Sequence, residues 1–158
     1  MYNVGEKIVH PLYGAGIIES IDKKEVEGQL QAYYVLQIPV GNLKIMISAA
    51  KAEGQGIRGV HPAGDIVGII ESIKDDPIDM PDNWNQRYKE NMERIKSGEL
   101  SEVSLVFRNL LLRERERGLS TAEKKLMTTA KQIILSELML SKDMDRPEAE
   151  ILLENIFG

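Results

Sequence analysis

The sequence predicts an α+β protein, a small N-terminal β-barrel followed by an all-helical C-terminal domain. Three observations predict it. Short runs of β-forming residues, broken by glycine and proline, fill roughly the first fifty positions. Apolar residues at helical spacing dominate from position 84 onward. Between the two lies Asp75-Asp76-Pro77-Ile78-Asp79-Met80-Pro81, an acidic linker whose prolines oppose a helix.

In the first region Glu6 to His10 reads as a strand ended by Pro11, and Leu12-Tyr13-Gly14-Ala15-Gly16 as a turn. Ile17 to Asp22 is a second strand, and Lys23 to Leu30 a charged hairpin connection containing Gly28. Gln31 to Ile38 is rich in β formers such as Tyr33, Tyr34 and Val35. After Pro39-Val40-Gly41-Asn42, the segment Leu43 to Ser48 alternates, with Leu43, Ile45 and Ile47 on one face. Short strands joined by tight turns point to a strongly bent sheet or barrel of the SH3 or Tudor type. So small a sheet has little core and is expected to lean on the rest of the chain.

Ala49 to Gly64 has weak periodicity. Within it, Gly54-Gln55-Gly56-Ile57-Arg58-Gly59 lacks the Lys-Ser/Thr ending of a phosphate loop and reads as a flexible connection. Asp65 is placed to cap a short helix with Ile66, Ile69, Ile70 and Ile73 inward. The next helix runs from Trp84 to Lys96, with Gly98 just past its end. Another covers Glu99 to Arg117, burying Val103, Val106, Phe107, Leu110 and Leu111 before Gly118. Ser120-Thr121-Ala122-Glu123 has the pattern of a capping box, opening a helix with Leu126, Ala130, Ile133, Ile134 and Leu138 inward. A last helix starts near Asp145-Arg146-Pro147-Glu148 and buries Ala149, Leu152, Leu153 and Ile156. The expected division is 1–60, a linker region 61–82, and 83–158.

At 42% hydrophobic and 28% charged residues, the 158-residue chain has the composition of a soluble globular protein. No apolar run approaches the ~20 residues that span a bilayer, and the N-terminus lacks a signal-peptide pattern. With no cysteine either, the chain is expected in the cytoplasm and away from membranes. His10 and His61 lie far apart beside prolines, and the carboxylates form no metal-spaced cluster. No catalytic residue, metal or cofactor is therefore assigned, and the chain is not read as an enzyme.

The net charge of −5 argues against nucleic acid, but its distribution does not. From Trp84 to Lys131 eleven Lys/Arg face seven Asp/Glu, a local balance of +4 between acidic flanks. Arg113-Glu114-Arg115-Glu116-Arg117 alternates in sign and reads best as a solvated helix end. Trp84, the only tryptophan, sits at a helix start beside Arg87 and Lys89. It fits a core stripe with Tyr88, Met92 and Ile95. The spacing by itself favours that core stripe; the second reading is an apolar wedge held against a base step by neighbouring cations.

Four stretches favour the second reading. They are Val4-Gly5-Glu6-Lys7-Ile8-Val9-His10-Pro11 with Tyr13-Gly14-Ala15-Gly16, then Asn83-Trp84-Asn85-Gln86-Arg87-Tyr88-Lys89-Glu90-Asn91, then Lys96-Ser97-Gly98-Glu99, and Arg115-Glu116-Arg117-Gly118-Leu119-Ser120 with Glu123-Lys124-Lys125. In this order the chain resembles, over essentially its full length, the CarD/CdnL family of bacterial RNA polymerase-binding transcription regulators. The resemblance implies a Tudor-like domain that docks on the polymerase β subunit. It implies a helical domain that meets promoter DNA at the upstream edge of the bubble and stabilises the open complex. Trp84 would enter the minor groove, with Arg87, Lys89 and Lys124 near the DNA backbone. Docking would use Lys24 and strand addition along Leu43, Lys44, Ile45, Met46 and Ile47.

Gln86 and Thr129 stand where some relatives carry cations, which implies fewer phosphate contacts, and Met46 stands where some carry arginine. The protein is expected to act as a monomer. The competing expectation is a polymerase-bound adaptor whose helices bind protein and never touch DNA. Exposure of the Trp84 ring separates the two.

Overall fold

The computed structural model describes residues 1–158. Five antiparallel strands form one sheet in the order β4-β3-β2-β1-β5. They are β1 (Lys7–His10), β2 (Gly14–Val26), β3 (Gln29–Ile38), β4 (Leu43–Ser48) and β5 (Arg58–Gly59). β4 and β5 are both edges, so the predicted barrel is an open, bent sheet of the Tudor-like kind. Glu19 is the extra residue of a bulge, where the register slips between Ile18 and Ser20 and the sheet bends.

The charged hairpin connection expected over Lys23 to Leu30 is a hairpin, but strand pairing runs through most of it, as far as Val26↔Gln29. Only Glu27 and Gly28 turn, both at positive φ (53° and 78°), the twist-compatible geometry of a two-residue hairpin. Its charged residues hid the pairing, because a solvated two-stranded ribbon needs no apolar face. The stretch Gly54 to Gly59 is not a loose connection either. It forms a 3₁₀ turn at Glu53–Gln55 and then β5, paired with β1 through Ile8↔Gly59 and Val9↔Arg58.

Helices α1 (Ile66–Glu71), α2 (Trp84–Lys96), α3 (Leu100–Arg117), α4 (Thr121–Lys142) and α5 (Arg146–Phe157) complete the chain. Asp65 precedes α1 but its side chain caps nothing. Asn83 caps α2, its side-chain oxygen accepting the Gln86 N–H at 3.1 Å. Asp145 and Glu148 form a reciprocal capping box on α5. One apolar core lies among the helices and includes Ile95, Val106, Leu110, Ile134 and Leu138. A smaller one lies within the bent sheet, around Ile8, Ile18, Leu36 and Ile47.

The sheet does lean on the helices. Ile8 and Val9 point to opposite faces of β1, yet both are buried. Ile8 faces the sheet's own core, while Val9 and its cross-strand partner Ala15 lie on the face that meets α4. Contact is close at Gly14, where a Cβ would stand 2.5 Å from Ser136 Oγ on a backbone at φ 97°. Ser136 Oγ accepts the Ala15 N–H at 2.8 Å and donates to Ile133 O at 2.7 Å.

The acidic linker is tied down at both ends by buried arginines. Arg108 on α3, 4% exposed, donates to Ile73 O (2.6 Å), Lys74 O (3.0 Å) and Pro77 O (3.5 Å). It thereby satisfies carbonyls where α1 ends and no helical donor remains. Removing Arg108 takes the charged donor from Lys74 O and Pro77 O, while Ile73 O keeps the Asp76 N–H at 3.1 Å. Arg108→Ala is expected to cost about 2–4 kcal/mol in urea denaturation, with faster amide exchange over residues 73–80.

Candidate nucleic-acid interface

Alternation of apolar residues along α2 does not by itself say where the core lies. The buried positions are Arg87, Asn91 and Ile95, with Tyr88 and Met92 packed at the margin. Trp84 lies on nearly the same side of the helix as this stripe, about 60° from Arg87. It is nevertheless 51% exposed. It occupies the first helical position, and helical side chains lean toward the N-terminus. Its ring therefore overhangs the end of the bundle instead of entering it.

The base of this overhang is a buried ion pair. Arg87 Nε donates to Glu123 Oε2 at 2.6 Å, and Arg87 Nη2 donates to Glu123 Oε1 at 3.0 Å. Arg87 Nη1 donates to Pro81 O (3.2 Å) and Asp82 O (2.9 Å), gripping the end of the linker. Both side chains are almost fully buried. Ser120, the cap of α4, accepts the Glu123 N–H and donates its hydroxyl to Glu123 Oε1. Only half of the predicted capping box therefore forms. The Glu123 carboxylate turns to Arg87 because a buried guanidinium needs a counter-charge more than an N-cap amide needs a second acceptor.

These bonds hold the Glu123 carboxyl below the usual carboxylate range, chiefly through the Arg87 hydrogen bonds, and raise the Arg87 guanidinium through the same contact. Arg87 is thus not the DNA-facing cation expected from the sequence. Its fork is saturated inside the protein, and reaching a phosphate would strand Glu123 in the interior. It instead ties the first turns of α2, which carry Trp84, to the start of α4 and to the end of the linker.

The pair also sets the start of α4 beside the start of α2. Lys124, next to Glu123, is exposed with Lys125, Thr121, Thr128 and Thr129 around a shallow concavity. The Thr128 and Thr129 hydroxyls donate to Lys124 O and Lys125 O, each at 3.0 Å. Trp84 and Lys124 consequently share one end of the helical bundle. Lys89 is exposed but lies about 140° around α2 from Trp84, so it does not share the ring's face.

At the other end of the molecule β4 pairs only with β3, which leaves its outer main-chain groups free. Leu43, Lys44 and Met46 are exposed, Lys44 reaching Glu19 at 3.1 Å and Lys24 reaching Met46 Sδ at 3.4 Å. The side chains of Ile45 and Ile47 pack into the sheet's own core, Ile47 only 3% exposed. Ile45 and Ile47 thus do not form the expected docking surface: their side chains enter the core and, in the alternation that the Ala49 N–H to Ala32 O bond fixes, their main-chain groups pair with β3, which leaves those of Lys44 and Met46 facing outward. His10, read as a surface residue at a strand end, is half-buried. Its Nδ1 accepts the Leu12 N–H, and burial lowers its pKa.

The sequence does not reveal the internal pairing of Arg58, Arg108 and Glu137, and it offers Glu123 only as a capping residue. Glu137 had a legible signal, since a carboxylate inside Ile133-Ile134-Leu135-Ser136-Glu137-Leu138 must be paired if it is buried. Arg58 had none, because its partner lies 79 positions away.

The chain is thus a bent antiparallel sheet with a free edge strand, fastened to a helical domain that presents an exposed tryptophan. The comparisons assign the family. Residues 2–61 match the family model "CarD-like/TRCF RID domain", and residues 68–154 match "CarD, C-terminal domain". A Bacillus subtilis (strain 168) protein named "Putative transcription factor YdeB" is 36% identical over 142 residues, covering 90% of this chain and 93% of that protein. The chain belongs to the CarD/CdnL family of transcription regulators. No helix is long and apolar enough to cross a membrane.

The depressed Glu123 acidity has a definite sign. A carboxyl whose folded pKa lies below its unfolded value adds stability that is complete above about 4.3, the ordinary glutamate value. That stability is lost as pH falls through the folded value. Wild type is therefore expected to lose stability more steeply than Glu123→Gln on titration below about pH 5, as read by urea denaturation at each pH. Glu123→Ala, which leaves Arg87 buried without its counter-charge, is expected to cost about 3–5 kcal/mol near neutrality.

Proposed function

We propose that this chain docks on the β subunit of RNA polymerase through the free edge of β4. From there it holds Trp84 in the minor groove of promoter DNA at the upstream edge of the bubble, stabilising the open complex. The observation that carries the reading is the half-exposed Trp84 ring, on the first turn of the helix that the buried Arg87–Glu123 pair ties to the start of α4, where Lys124 is exposed. A rigid apolar plate beside a cation suits insertion against a base step. The exposed ring also disfavours the adaptor expectation, which placed Trp84 in a core stripe.

Strand addition along Leu43 to Ser48 supplies main-chain hydrogen bonds, with Lys24, Leu43, Lys44 and Met46 giving selectivity. DNA contact then falls to Trp84 and Lys124, with Lys89 available to a backbone that curves around α2. Arg87 acts indirectly. So few phosphate contacts give weak binding to free DNA, and the net charge of −5 weakens it further. Attachment to polymerase compensates, since tethering raises the local concentration of the helical end at the promoter. Preference for open over closed DNA shifts the equilibrium by that difference, about 1.4 kcal/mol for each factor of ten. Attachment to polymerase would also place the protein at the nucleoid.

Trp84→Ala is expected to bind polymerase as wild type does and to lose the lengthening of open-complex lifetime, measured by competitor challenge on one promoter. Equal lifetimes for the two proteins would take Trp84 out of the mechanism and favour the adaptor. Met46→Pro, which introduces a ring and removes an outward-facing N–H from the free edge of β4, is expected to weaken binding to a β-subunit fragment at least about tenfold. Unchanged affinity would put the docking surface elsewhere.

A further inference from the structure

We propose that Arg58 and Glu137 are positioning residues that fix where Trp84 lies relative to the docking strand. The inference rests on the reading above and adds to it a mechanical link between the two contact sites.

Glu137 is fully buried on α4, on a helix whose neighbouring residues face the apolar core. Its carboxylate is satisfied entirely from the sheet domain and the segment after it. Arg58 Nη1 donates to Oε2 at 2.9 Å, Arg58 Nη2 donates to Oε1 at 2.7 Å, and the His61 N–H donates to Oε2 at 2.9 Å. The contact continues along the helix. Ser141 Oγ donates to His61 O at 2.6 Å, and Lys7 Nζ donates to Leu140 O at 2.8 Å. Arg58 also donates through Nε to Gly98 O, at 2.6 Å, in the turn after α2. That turn is seated closely: a Cβ at Gly98 would stand 2.9 Å from Gly56 O, and the backbone is at φ 77°.

One guanidinium on β5 therefore holds both helices that reach the DNA-facing end. It takes α2 at its C-terminal turn and α4 at Glu137. At the far end the same two helices are joined by Arg87 and Glu123. Glu123 and Glu137 are fourteen residues apart, about 21 Å along α4 and within about 40° of one side. The two arginine–carboxylate forks close a frame with α2 and α4 as its long sides. Trp84 projects from one end of it, and the sheet carrying β4 is fastened to the other.

The frame matters because a tethered contact gains from attachment only if the tether delivers it to the right place. If Arg58 released Glu137, the first turns of α2 would keep their tie to α4, and β4 its free edge. The distance between them would become a distribution, and the share of molecules able to touch both partners would fall. The predicted defect is specific: binding to each partner survives, and their coupling is lost.

The chain has no cysteine, so paired spin labels can be introduced at exposed sites outside both contact surfaces, Leu30→Cys on β3 and Ile151→Cys on α5. Arg58→Gln is expected to broaden the label-to-label distance distribution measured by double electron–electron resonance. It is expected to leave affinity for the β-subunit fragment unchanged and to shorten open-complex lifetime toward that of Trp84→Ala. Arg58→Lys, which keeps the charge but not the fork, replaces it if circular dichroism shows Arg58→Gln unfolded, with the same outcomes required. A narrow distribution, or a wild-type lifetime in the folded variant while Trp84→Ala is defective, overturns the positioning role and leaves the wedge standing. A wild-type lifetime for Trp84→Ala itself overturns the wedge and the positioning role together.

Discussion

A carboxylate drawn out of water must regain its donors from the protein, and in this chain Glu123 regains them only if α2 and α4 start side by side. The charge on Arg87 has the same requirement in reverse. Neither can be satisfied by the residues around it in sequence, since thirty-six positions separate them. The apolar core stabilises the helical bundle as a whole, but apolar contacts are non-directional and tolerate small shifts. A two-bond fork between buried charges does not. It admits one axial setting of α2 against α4, and that setting puts the only tryptophan beyond the end of the bundle with a lysine near it.

The other buried arginines divide related work. Arg108 gathers carbonyls of the linker, and Arg87 takes two more at the linker's end, so a segment with two prolines and three aspartates runs along the helices under restraint at both ends. Arg58 joins sheet to helices. Buried ion pairs contribute little net stability once desolvation is counted, while breaking one is expensive. That asymmetry suits a protein whose two contact surfaces need a fixed separation: the pairs add geometry more than they add free energy.

The arrangement also reconciles an acidic chain with a place at a promoter. Cations matter here by position, not by total. Arg87, Arg58 and Arg108 are committed to internal partners, and little positive charge remains at the tryptophan end. A protein of this charge gains little by searching DNA alone and much by arriving already attached to its partner.

Most elements were legible in the sequence because local signals govern them. β4 and α2 begin and end where turn residues, caps and periodicity put them, and Gly98 lies just past α2 in the left-handed conformation. The strand pairing through the charged end of the hairpin and β5 were not legible, because both depend on a partner strand and lack an apolar pattern of their own. In the site, the sequence singled out Trp84 and Lys124, and both are exposed where the two helix starts meet. It could not distinguish Arg87 from Lys89. Both are cations on one helix, and only the approach of Glu123 from α4 decides that one is internal and the other free. Which segments become strands and helices was largely readable along the chain, because caps, turns and periodicity act within a few positions. Which charges meet, and therefore which side chains hold the frame and which face outward, came from folding alone. Burial and ion pairing depend on residues far apart in the chain that nothing but the fold brings together.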